Sequence, residues 1–115
     1  MELEDCTKKE LIWLIRYRCF HTANDFEFDI LTHREEENQK AASAAFERAS
    51  RALDEYCELI EPYGGKPLNS IPDSVMHKAA EKMKNREAAL KQYNRLEKQY
   101  HAIQARMDVI LSKKS

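Results

Sequence analysis

His33 and Glu36 stand three residues apart in His33-Arg34-Glu35-Glu36, and that offset on a helix puts an imidazole and a carboxylate on one face. Metal sites in helix bundles are built from such pairs, repeated on several facing helices. His101 falls roughly opposite when the chain is folded back on itself, but the only acids near it are Glu97 and Asp108. The matching ligands are missing, so a solvated polar segment is the expected reading and no metal ion is expected. Nucleophilic chemistry is no better served. No motif places a histidine beside a serine or cysteine, and Gly64-Gly65 runs into Lys66-Pro67 without the spacing of a phosphate loop. Cys6, Cys19 and Cys57 are odd in number and show no zinc spacing. They point to a reducing compartment, with Cys19 and Cys57 as small core residues. The chain is expected to be non-enzymatic and to use no cofactor.

Binding is the chemistry left. Trp13, Arg16, Tyr17 and Phe20 form an aromatic stripe with a guanidinium beside it. Such a set anchors a protein interface, where Trp, Tyr and Arg dominate, or stacks a base and holds a phosphate. As an interface anchor, Trp13 would carry roughly 2 kcal/mol or more of association. Bases that could meet phosphates are Arg16 and Arg18 early in the chain and Lys91, Arg95, Lys98 and Arg106 late in it, with Arg95 and Lys98 the leading candidates. The formal net charge is −1, so no overall field recruits duplex nucleic acid or an anionic membrane. The balance is uneven: residues 24–61 hold 11 acids against 4 bases, and residues 73–115 hold 10 bases against 5 acids. Two antiparallel helices that attract each other explain this directly.

The elements that position these residues are set by where helix breakers fall. Both glycines and all three prolines lie between Pro62 and Pro72. Proline removes a backbone donor and glycine supplies a positive φ, so the breakers mark one reversal between two long helices. Thr7-Lys8-Lys9-Glu10 reads as a capping box, Asn24-Asp25-Phe26-Glu27 as a second start and Ser70-Ile71-Pro72-Asp73 as a third. The expected helices cover about 8–22, 25–61 and 71–112, with a loop at 62–70, in a single domain. The fold class is all-α: a short N-terminal helix and a long antiparallel, coiled-coil-like hairpin that assembles into an oligomeric bundle.

Ala42, Phe46, Ala49, Leu53, Tyr56 and Ile60 alternate in steps of four and three and predict a buried seam. Met76, Ala79, Ala80, Met83, Leu90 and Tyr93 face it, and the pattern then shifts as in a stutter to Leu96, Tyr100, Ile103, Met107 and Ile110. This register sets Phe46 near Leu90 and Phe28 near Met107. The first helix has Leu11, Ile12, Ile15 and Cys19 on one side and Trp13, Tyr17 and Phe20 on nearly the opposite side. A helix apolar on two faces is buried on both, and a hairpin with so little core needs a partner. Self-association is the economical expectation. Met1-Glu2-Leu3-Glu4-Asp5 is acidic where a secretory leader is basic, and no apolar run approaches the roughly 20 residues of a membrane span. The expected setting is therefore cytoplasmic.

Cys6-Thr7-Lys8-Lys9-Glu10-Leu11-Ile12, then Glu55-Tyr56-Cys57-Glu58-Leu59-Ile60-Glu61-Pro62-Tyr63-Gly64-Gly65-Lys66-Pro67 and Ser70-Ile71-Pro72, resemble small uncharacterised proteins encoded by phages and prophages of Firmicutes. The likeness covers the first helix, the end of the second and the loop. It implies a viral origin and action inside a bacterial host, and carries over no active-site residues. The layout is also similar in outline, without a motif match, to phage proteins that sequester cyclic-nucleotide immune signals. Glu35-Glu36-Glu37 resembles the acidic run of helical magnesium-dependent nucleotide pyrophosphohydrolases, but the second acidic motif of those enzymes is missing. The functional expectation is a phage-encoded homo-oligomer that binds a host defence protein or a cyclic nucleotide. A structural or scaffolding protein of phage assembly is the alternative.

Overall fold

The computed structural model describes residues 1–17 and 23–114, and its regular structure is helical throughout. After a 3₁₀ turn at Leu3–Asp5 come α1 (Lys8–Tyr17), α2 (Ala23–Ile60) and α3 (Asp73–Lys114). The chain forms two compact units, one of Met1–Lys40 with Glu97–Ser115 and one of Ala41–Leu96.

The second unit is an antiparallel hairpin, and its reversal uses the breakers economically. Short 3₁₀ turns at Glu61–Tyr63 and Leu68–Ser70 flank the two glycines. Gly65 alone takes a left-handed φ, 77°, while Gly64 stays extended. α3 starts at Asp73, with the Pro72 carbonyl accepting from the amides of Val75 (3.0 Å) and Met76 (3.1 Å). The Ser70 hydroxyl, expected to cap this helix, donates instead to the Pro67 carbonyl at 2.6 Å. Asn24, expected as a cap, lies inside α2, which begins at Ala23.

The residues buried between the arms of the hairpin are alanines: Ala45, Ala49 and Ala52 on α2, and Ala79 and Ala89 on α3. Ala49 and Ala79 belong to the expected seam, but its large members are corrected, because Phe46 is 56% exposed and Leu53 38%. The reason is steric. Columns 45/49/52 and 46/53/60 are adjacent on the helix, and only the smaller side chains let two backbones approach closely. Phe46 lies against Tyr93, with ring centroids 5.8 Å apart. One edge of the hairpin is polar: Arg48 donates to Gln92 at 2.5 Å, and Lys82 pairs with Glu55 at 2.5 Å. The large apolar residues are displaced to the other edge. Ala49→Leu should therefore destabilise the chain by about 2 kcal/mol through overpacking, read as a lower midpoint in urea denaturation.

The first unit has a more conventional core. Leu14, Phe26 and Ile30 are buried together, with Met1, Cys6, Leu11 and Trp13 packed against them. Leu31 and Ile110 are also buried. The unit joins α1 to the starting turns of α2 and the closing turns of α3, where the Arg106 guanidinium makes two bonds to the Glu27 carboxylate, at 2.6 and 2.9 Å.

Candidate functional site

α1 is fixed in place by its own cap. The Thr7 amide donates to Glu10 Oε1 at 2.9 Å, and the Glu10 amide donates to Thr7 Oγ1 at 3.2 Å, so the capping box forms as the sequence predicts. The same carboxylate is nearly buried, and Arg34 of α2 answers it. Arg34 Nε donates to Oε2 at 2.5 Å and Nη2 to Oε1 at 3.0 Å, while Nη2 also reaches the Asp5 carbonyl at 3.1 Å. Burial pushes the Glu10 carboxyl up, but the bonds from Arg34 and Thr7 outweigh it and hold the group below its ordinary value. Nothing in the sequence links two residues so far apart, so this fork is visible only in the fold.

One turn along α1, Trp13 stacks on His33 of α2, ring centroids 4.6 Å apart and planes 21° from parallel. Glu10, Trp13 and Leu14 thus turn inward, which fixes the rotation of the helix. Leu14 is 3% exposed and its neighbour Ile15 84%, with Ile12 at 41%. Arg16 is exposed beside them. The outward face of α1 is therefore Ile12, Ile15 and Arg16, an apolar surface rimmed by a guanidinium.

The other expected binding residues divide as follows. The Tyr17 side chain and Phe20, like Arg18 and Cys19, lie outside the described residues. Arg95 in the hairpin unit and Lys98 in the first unit are each exposed on α3. Arg106, a candidate phosphate ligand, is committed to Glu27, whose carboxyl it holds below the ordinary value against the opposing effect of burial. Because Trp13 is packed within the protomer, Trp13→Ala should lower protomer stability by about 2 kcal/mol. Association measured in parallel should change little.

Of the metal and hydrolase candidates, His33, Glu35, Glu37 and His101 make structural contacts, while Glu36 is exposed. His33 is buried against Trp13, His101 meets the edge of Tyr100 at 5.8 Å, and Glu35 accepts a bond from the Gln104 amide. Among the described residues no three His, Cys, Asp or Glu side chains converge as a metal site would require. Burial, reinforced by the Glu10 carboxylate, pushes the Cys6 thiol above its ordinary value, the reverse of what a reactive thiolate needs. Among the described residues no helix is long and apolar enough to cross a membrane. Comparison of the chain with protein-family models, with curated proteins and with solved structures finds no match.

Proposed function

We propose that this chain is a non-enzymatic, phage-encoded helical protein that acts as a homo-oligomer in the bacterial cytoplasm and binds a host defence protein. The observation that carries the binding role is the outward face of α1. Leu14 and Trp13 satisfy the inner side of that helix, yet Ile15 is 84% exposed and Ile12 41%. The Glu10–Arg34 fork and the Trp13–His33 stack hold the face in one orientation, so little conformational freedom remains to be lost on binding. An apolar patch rimmed by arginine has the make-up of a protein-docking surface, whose energetic centre is desolvated and whose edge is polar. A protein partner is favoured over a cyclic nucleotide because Arg106, one of the bases a phosphate would need, already serves Glu27.

The test is affinity capture from phage-infected bacteria with wild-type protein and Ile15→Glu in parallel. A host polypeptide held by the wild type and lost by the variant, with the variant's melting midpoint unchanged, is the expected outcome. A melting midpoint that climbs with the logarithm of cyclic di- or trinucleotide concentration would instead assign the protein to ligand sequestration.

A further inference from the structure

We infer that the apolar edge of the hairpin unit is the surface on which a second copy of this chain docks, closing a four-helix bundle. The inference rests on the homo-oligomer proposed above and names its interface. Phe46, Leu53 and Ile60 recur every seven residues on α2, and Met76, Met83 and Leu90 recur every seven on α3. Phe46, Leu53 and Met76 are 56, 38 and 47% exposed, and the other three are half-buried. A seven-residue repeat keeps one stripe facing a neighbouring helix along its whole length. Here both arms carry one, and neither stripe is used up by the other arm. The arms already meet through Ala45, Ala49, Ala52, Ala79 and Ala89. Alanines supply close approach but little hydrophobic burial, so this unit buries no large side chain of its own.

Charge identifies the occupant. The outer border of the α2 stripe carries Glu47 and Asp54, again seven apart, among Ser43, Ser50 and Cys57, and Glu61 follows in the adjoining turn. The outer border of the α3 stripe carries Lys84 and Lys91, also seven apart, with Glu87 between them and Arg95 beyond. Glu47, Asp54, Glu61, Lys84 and Lys91 are exposed, and none belongs to an ion pair within the protomer among the described residues. Two hairpins can stack face to face about a two-fold axis in two ways. Setting α2 on α2 puts acid on acid and base on base. Setting α2 on the partner's α3 puts each acidic border against a basic one, twice over, because a two-fold interface is self-complementary. Unlike-helix pairing is therefore the arrangement this sequence specifies, and only a copy of the same chain offers both borders at the same repeat. The polar edge, with Arg48 on Gln92 and Lys82 on Glu55, faces away from this contact.

Sedimentation equilibrium of the full chain provides the test. At about 10 µM the wild type should sediment at twice 13.5 kDa. Leu53→Glu should weaken the dimer at least about 100-fold, since it sets a charge in an apolar stripe. Because that variant also perturbs the hairpin, a charge set supplies the second reading. Glu47→Lys with Asp54→Lys should weaken association about tenfold, and adding Lys84→Glu with Lys91→Glu should restore it to within about threefold. A dimer indifferent to all of these but split by Ile15→Glu would overturn the hairpin interface while leaving the homo-oligomer standing. A particle of 13.5 kDa even at about 100 µM would overturn both.

Discussion

Ile30→Ala is expected to lower the stability of the protein by about 4 kcal/mol, the largest effect of any single substitution considered. Ile30 is fully buried and packs with Leu14 and Phe26. Truncation deletes most of its side chain, and the loss has two parts: the transfer free energy of the missing carbons and the cavity they leave. The surroundings have little freedom to collapse into that space. α1 is pinned at one turn by Glu10 with Arg34 and at the next by Trp13 on His33. Urea denaturation followed by circular dichroism should show the lowered midpoint. Ile15→Ala, the next residue after the buried Leu14 but outward-facing, should stay within about 0.5 kcal/mol of wild type.

Arg34→Ala is expected to cost about 3 kcal/mol at neutral pH. The Arg34 side chain is 33% exposed, but its partner Glu10 is only 8% exposed, so the substitution strands a carboxylate that water reaches poorly. The cost has a pH signature whose sign follows from the Glu10 shift. Despite burial, the Arg34 and Thr7 bonds hold the folded-state carboxyl below its ordinary value of 4.5. A group depressed on folding stabilises fully above its unfolded value and loses that stabilisation as pH falls through the folded one. The wild type should therefore weaken progressively below about pH 4.5. Glu27, depressed by Arg106 against the effect of burial, adds to the same acid limb. In Arg34→Ala the stranded Glu10 gains from protonation, so the gap between variant and wild type should narrow across this range. A gap that stays constant from pH 7 to pH 3 would show that the fork contributes packing rather than charge pairing.

The all-helical class and the reversal at the proline and glycine stretch were legible because each rests on a local rule. A left-handed residue is needed where the chain turns, and Gly65 supplies it. The Thr7–Glu10 capping box was legible for the same reason, since cap and partner lie three residues apart. What periodicity could not decide is which of two neighbouring columns on α2 enters the hairpin. Columns 45/49/52 and 46/53/60 both keep a stripe in step with a partner helix. Side-chain size settles it in favour of alanine, and that depends on how closely the partner approaches, which is a property of the pair. Trp13 was ambiguous for a related reason. An aromatic on a two-faced helix serves a core and an interface equally well, and His33, which accepts its ring, is twenty residues away in sequence. Glu10 and Arg34 illustrate the limit most plainly, because a local cap rule reaches Glu10 and no local rule reaches Arg34.

Native mass spectrometry of the protein purified from phage-infected bacterial cells tests the central claim most directly, since it weighs the assembly and whatever the assembly holds together. An even number of 13.5 kDa chains carrying a host polypeptide is the predicted result. A lone 13.5 kDa chain, or an assembly that retains only a nucleotide, would contradict it.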